Sequence, residues 1–154
     1  MNYLEYTFSG LSDVSSTEVL DMGCGTGVLG ILASKLGCEK VLSIDIDDWA
    51  VRNSIENAEV NLCSNLVIEK GDVNAIKDQQ FHIILANINR NILLNDMLAY
   101  CDSLRYKGTL IISGILPQDK EIILEKAKDC GLIFKSVLQE NNWLSIIFEK
   151  GKRN

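Results

Sequence analysis

The chain has 154 residues, is 47% apolar and 23% charged, and carries a formal net charge of −6. That suits one domain around one hydrophobic core, offers no apolar run of the ~18 residues that cross a bilayer, and argues against direct nucleic-acid binding, which needs a basic face. The only basic cluster is Lys150, Lys152 and Arg153 at the tail, so a small-molecule ligand or a basic protein partner is expected instead.

Met1 to Tyr6 shows no basic, apolar export signal. The five cysteines, Cys24, Cys38, Cys63, Cys101 and Cys130, are scattered and form no C-x-x-C pair. They predict small buried or half-buried thiols in a reducing cytoplasm, with neither a disulfide framework nor a zinc site.

In chain order, residues 2–8 predict the end of a helix and residues 10–17 a serine-bearing connector. Residues 1–17 are thus set apart from a cofactor-binding domain over 18–150 and a tail over 151–154. Val19-Leu20 predicts a first strand, and Val28 to Leu36 a helix that Gly37 ends. Val41 to Ile44 makes a second strand that stops at Asp45. Asp48 is placed as N-cap of the next helix, where Val51, Ile55, Ala58 and Leu62 recur at helical spacing. Leu66-Val67-Ile68 is a third strand leading into Gly71-Asp72.

Phe81 to Ala86 is almost continuously apolar, as a central strand covered on both faces requires. After Asn87 a helix carries Leu93, Met97, Cys101 and Leu104 on one face. Lys107-Gly108 turns into the strand Thr109 to Gly114. Pro117 opens a further helix with Ile123, Ala127 and Cys130 on one stripe, closed by Gly131. Ile133 to Leu138 and Trp143 to Phe148 flank the turn-like Glu140-Asn141-Asn142 and predict an antiparallel hairpin. The class is α/β: a doubly wound, mostly parallel seven-stranded sheet with one antiparallel strand in the terminal hairpin.

Ligands of such sheets bind beyond the C-terminal strand ends, where strand order reverses. The stretch Leu20-Asp21-Met22-Gly23-Cys24-Gly25-Thr26-Gly27 lies at one such end. Asp45, Asp72 and Asn87 lie at others, and all four are expected to converge on one crevice. Glycines at alternate positions fit a turn whose backbone lies directly on a ligand. Gly25, Gly27 and Gly30 also satisfy G-x-G-x-x-G, with Asp45 spaced to bind a ribose, so an NAD-dependent oxidoreductase competes.

Asp21 favours a different cofactor. Its carboxylate opposes a pyrophosphate at the helix N-terminus and suits S-adenosylmethionine, which has a sulfonium, an ammonium and no phosphate. The alternative for this residue is to cap the loop backbone. Asp45 is placed to accept both ribose hydroxyls and Ile46 to cover one face of the adenine. Asp72 is placed to meet the adenine amino group, with the Val73 N–H beside it, a plain turn aspartate being the alternative.

With these residues in view, the chain resembles the class I methyltransferases. More narrowly, it is similar to the C-terminal catalytic domain of the bacterial family that methylates large-subunit ribosomal protein eleven. The resemblance runs from Glu18 to Lys150 and rests on Val-Leu-Asp-Met-Gly-Cys-Gly-Thr-Gly (19–27), Ile-Asp-Ile-Asp (44–47), Ala-Asn-Ile (86–88) and Leu-Ile-Ile-Ser-Gly-Ile-Leu (110–116). It implies S-adenosyl-L-methionine as cofactor, a basic ribosomal protein as substrate, and contact of Gly23, Asp45 and Asn87 with the methyl donor. Asn87-Ile88-Asn89-Arg90 lacks the Asn/Asp-Pro-Pro-aromatic stretch of enzymes that methylate bases or glutamine. Lysine or N-terminal amines are therefore the expected targets.

That family also carries an N-terminal substrate-gripping domain and a donor-contacting threonine, which have no counterpart here. A truncated catalytic domain is expected, with a cofactor-binding remnant that lacks turnover as the further alternative. Asn87 is expected to orient the attacking amine rather than act as a base. His82 inside a strand, Cys24 without a histidine partner and Trp143 in the hairpin are expected to be structural.

Overall fold

A computed structural model describes residues 13–152. The helix end expected over residues 2–8 and Arg153 of the basic tail lie outside the described residues. The chain divides into two compact units, one ending at Asp72 and the other beginning at Val73.

In the first unit, β1 (Glu18–Met22), β2 (Lys40–Asp45) and β3 (Leu66–Lys70) are linked by α1 (Val28–Lys35) and α2 (Asp48–Val60). The strands pair in parallel in the order β3-β2-β1. Asp21 stands opposite Ser43, and Met22 opposite Ile44, so β1 and β2 end level and their following loops start side by side. The residues α1 buries are Gly30, Ala33 and Ser34; those α2 buries are Ala50, Ser54 and Ala58.

Two expectations for α2 give way. The N-cap is Asp47, whose side chain accepts from the N–H groups of Trp49 and Ala50 at 2.7 and 3.0 Å. Asp48 is instead the first helical residue and pairs with Lys70 at 2.9 Å. Of the expected stripe Val51, Ile55, Ala58 and Leu62, only Ala58 is buried. Ile55 and Leu62 line an open groove of about 450 Å³ beside β3, together with Cys63 and Ile68, and Leu62 is 85% exposed. The inward stripe is made of small and polar residues, which a search for large apolar side chains passes over.

In the second unit, β4 (Phe81–Ala86), β5 (Leu104–Ile115), β6 (Leu132–Glu140) and β7 (Trp143–Lys150) lie in the order β4-β5-β7-β6. β4 and β5 are parallel. β7 runs antiparallel to both β5 and β6 and is the one reversed strand expected. α3 (Arg90–Asp102) follows β4, and a 3-10 turn (Pro117–Asp119) leads into α4 (Lys120–Asp129). Their buried faces carry Leu93, Met97, Tyr100 and Cys101 on α3, and Ile123 and Ala127 on α4.

Leu104, expected on α3, is the first residue of β5. Lys107-Gly108 is an irregularity inside that strand rather than a turn before it. Lys107 has φ 63°, and the pairing jumps from Phe81 opposite Leu104 to Ile83 opposite Thr109. A Cβ at Gly108 would lie 2.8 Å from the Arg105 carbonyl oxygen and 3.1 Å from that of His82, so the crossing needs glycine. The terminal turn is only Asn141-Asn142, because Glu140 still pairs with Trp143. Among the described residues no helix is long and apolar enough to cross a membrane.

Candidate functional site

The glycine loop leaves β1 through Gly23, Gly25 and Gly27, with φ of 70°, 57° and 83°, angles at which a side chain would be strained. The N–H groups of Gly23 and Cys24 both donate to the Ile44 carbonyl, at 2.8 and 3.0 Å. That pins the loop across the end of β2. Gly27 is the N-cap of α1 and contributes no side-chain cap. Nothing lies within 4 Å of the place a Gly25 Cβ would occupy, so the loop backbone borders open space.

From below, α2 holds the loop. Ser54 Oγ donates to the Gly25 carbonyl at 2.7 Å, and Asn57 Nδ2 donates to that of Thr26 at 2.9 Å. Neither residue was expected at the site. Their signal was a serine on a helix face otherwise lined by Ala50 and Ala58.

Two carboxylates complete this support. Asp45 accepts from the Gly25 N–H at 2.9 Å with one oxygen and from the Asp47 N–H at 3.0 Å with the other. Asp21, 1% exposed, accepts from the Gly30 N–H at 2.9 Å. It lies beneath the loop rather than on its surface, and the contact it makes is with backbone. Burial pushes its carboxyl up to about 7, and Asp45 adds to that; the Gly30 N–H and the Ser43 hydroxyl pull the other way. Ser43 Oγ is itself buried and makes no aligned hydrogen bond, so it acts on Asp21 from nearby.

Gly30 is what allows this closeness. A Cβ there would collide with Ser43 Oγ and lie 3.2 Å from Asp21 Oδ2. No ion pair among the described residues reaches Asp21 or Asp45. Two acids without a cation are ill suited to a pyrophosphate and well suited to a cationic ligand. A bare glycine cradle over acidic support fits S-adenosylmethionine.

Ile46 follows Asp45 and is 70% exposed, leaving an apolar surface beside the acid. Asp72 is also exposed; the preceding Gly71 N–H bonds the Asp45 carbonyl at 3.0 Å. Cys24 is buried with its sulfur 3.5 Å from Ser54 Oγ, and burial pushes its thiol up to about 11. It stays protonated at neutral pH and packs the loop, as expected.

In the second unit, Val73 opens a 3-10 turn, Val73–Ile76. Asn87, exposed, is the first residue past β4. Gly114 on β5 has φ 74°, and a Cβ there would lie 2.7 Å from Asn87 Oδ1. The glycine of the Ser-Gly-Ile-Leu stretch thus leaves room for the asparagine side chain. Asn89 caps α3 by accepting from the Ile92 N–H at 3.0 Å, and Arg90 pairs with Asp119 at 2.6 Å. His82 lies inside β4. Among the described residues no cluster of acids, histidines or cysteines could hold a metal ion.

Comparison with known proteins gives a consistent picture. The family model described as ribosomal protein L11 methyltransferase matches residues 5–151. A ribosomal protein L11 methyltransferase of Porphyromonas gingivalis is 47% identical over 137 residues, which cover 88% of this chain and 47% of that protein. Its counterpart in Phocaeicola vulgatus is 44% identical over 138 residues, covering 89% and 49%. The chain therefore spans about half the length of the curated relatives it matches. The crystal structure of a ribosomal protein L11 methylase from Lactobacillus delbrueckii subsp. bulgaricus is similar with a TM-score of 0.88 at 27% identity, over 98% of this chain and 79% of that one. The α/β class expected from the sequence, with seven strands and a terminal antiparallel hairpin, is the class found.

Proposed function

This chain belongs to the ribosomal protein L11 methyltransferase family, and from that premise we propose that residues 18–150 form a catalytic domain. It transfers methyl groups from S-adenosyl-L-methionine to lysine or N-terminal amines of a basic ribosomal protein in the cytoplasm. The observation that carries the cofactor assignment is the glycine loop held over Asp21 and Asp45 with no cation between them.

Bound there, the donor supplies a methyl group on a sulfonium whose sulfur is already a good leaving group. Gly23, Gly25 and Gly27 leave the loop backbone bare for contact. The Asp45 carboxylate, with two of its roughly four acceptor sites used by Gly25 and Asp47, keeps capacity for the two ribose hydroxyls. Ile46 would cover one adenine face, and Asp72 with the Val73 N–H would hold its amino edge.

An amine nucleophile with a pKa of ~10.4 is mostly protonated in water and lacks a lone pair. Desolvation on docking lowers that pKa, so the amine gives its proton to water before transfer. Asn87 Oδ1 then accepts a hydrogen from the neutral amine and aims its lone pair, and Gly114 gives that side chain its room. Asn87 neither gains nor loses a proton.

Calorimetric titration separates the cofactor classes: S-adenosylhomocysteine should bind saturably and NADH should not, and the reverse result would end this reading. Labelled donor with ribosomal protein L11 tests turnover. Binding without labelling would leave a cofactor-binding unit rather than an enzyme. In an active preparation, Asn87→Ala should lower turnover roughly tenfold or more; an unchanged rate would remove Asn87 from its assigned role.

A further inference from the structure

We propose that Asp21 is the residue by which this site tells the sulfonium donor from its spent thioether product, releasing a proton to water when the donor binds and taking one up when only the product remains. The inference rests on the methyl-donor reading above.

The geometry that carries it is a carboxylate sealed under a ligand loop with too little to balance its charge. Asp21 is 1% exposed and has one hydrogen-bond donor, the Gly30 N–H of α1. From β2 it faces the Ser43 hydroxyl, which makes no aligned bond, and the Asp45 carboxylate. From the loop it faces the Cys24 thiol, which is neutral. None of these is a cation, and no ion pair among the described residues reaches it. A buried charge in that state is relieved in only two ways: it takes a proton, or a cation arrives within its field.

The loop above Asp21 is where such a cation would come. Donor and product share adenine, ribose, ammonium and carboxylate and differ only at the sulfur, which in the donor carries a methyl group and a positive charge and in the product neither. Hydrogen bonds to the shared parts cannot separate them. A nearby anion in a poorly screened interior can, because the Coulomb energy there greatly exceeds its value in water. The carboxyl already titrates near neutrality in the ligand-free protein, pushed up to about 7, so a modest added field changes its charge.

The sign follows from linkage. A cationic ligand stabilises ionised Asp21 and lowers its pKa, so donor binding releases a proton below and around pH 7. Donor affinity should rise with pH across that range and level off above it. Product affinity should follow pH far less.

The test is calorimetry on the full chain with S-adenosylmethionine and S-adenosylhomocysteine from pH 5.5 to 8, in buffers of different ionisation enthalpy. The product-to-donor ratio of dissociation constants should rise at least fivefold across the range in wild type and stay flat in Asp21→Asn. The ammonium group that both ligands share affects both affinities and cancels in the ratio. A flat wild-type ratio, or the same rise in Asp21→Asn, would overturn the proposal while leaving the methyl-donor reading intact. Failure of both ligands to bind would overturn that reading and the inference with it. Should Asp21→Asn not fold, wild-type proton counts decide: net release with donor and none with product supports the proposal, and equal release refutes it.

Discussion

The two units pack helices on strands by opposite means. In the first, the inward residues are Gly30, Ala33 and Ser34 on α1, and Ala50, Ser54 and Ala58 on α2. In the second they include Leu93, Met97, Tyr100 and Ile123. Each fully buried large side chain contributes roughly 1.5–3 kcal/mol through removed apolar area, so the helix faces of the second unit contribute mainly by burial. Small residues give the first little area, but they let backbone and polar groups come close. Gly30 meets Ser43 and Asp21, and Ser54 meets the glycine loop. The first unit gives up stability to hold a ligand loop over a buried acid.

The strongest way to break that contrast is to relieve the acid. With the Asp21 carboxyl raised from 3.8 to about 7, the folded protein binds more protons than the unfolded chain between those values. Stability therefore falls as pH rises through that window and stays lost above it. Asp21→Asn, which keeps an acceptor for Gly30, should stabilise the ligand-free protein at pH 8 on the order of 4 kcal/mol and make little difference at pH 4. Urea unfolding at both pH values measures this. Equal effects at the two would mean that the acid is not strained.

Next is Leu93→Ala, fully buried on α3. A truncation there should cost about 3 kcal/mol in urea unfolding, while S-adenosylhomocysteine affinity, measured well below the unfolding midpoint, stays within twofold. A large loss of affinity would mean that the division of labour between the units is false.

Gly30→Ala is the converse change, an addition where the first unit has no space. The new Cβ would meet Ser43 Oγ and crowd Asp21, costing about 2 kcal/mol. Ser43→Gly in the same chain should return part of the loss in thermal unfolding, since it removes the hydroxyl that is struck. No recovery in the double variant would place the strain elsewhere.

The same contrast sets how much was legible in advance. Leu93, Met97 and Ile123 announce their faces because large apolar residues recur at helical spacing. On α2 the rule pointed to Val51, Ile55, Ala58 and Leu62, and of these only Ala58 belongs to the inward stripe Ala50, Ser54 and Ala58. Small residues carry little hydrophobic signal, so the periodicity joined the inward Ala58 to Ile55 and Leu62 of the exposed groove. At the site, the glycines, Asp21 and Asp45 stood out from their strand-end positions. That Asp45 bonds Gly25 and that Ser54 and Asn57 brace the loop depended on contacts between elements far apart in the chain, which local spacing does not encode. Lys107-Gly108 misled for a related reason: a strand irregularity and a turn have the same composition.

The smallest expected effect is the most direct probe of how the loop is held. Ser54 Oγ donates to the Gly25 carbonyl at 2.7 Å, and Cys24 lies beside the same hydroxyl. Ser54→Ala deletes one hydrogen bond, adds no bulk and leaves the helix face as small as before. Stability should fall by about 1 kcal/mol. Because the carbonyl it loses belongs to the loop, the Gly25 to Gly27 backbone should gain freedom that a bound ligand must then remove. The affinity of S-adenosylhomocysteine should weaken a few-fold, and Ala33→Ser, a polar change on the neighbouring helix without a loop contact, should leave it unchanged at whatever stability results. If both variants shifted affinity alike, general loosening of the first unit would account for the effect. If only Ser54→Ala did, the loop is held in its ligand-ready form by a side chain on α2, 29 residues away in sequence.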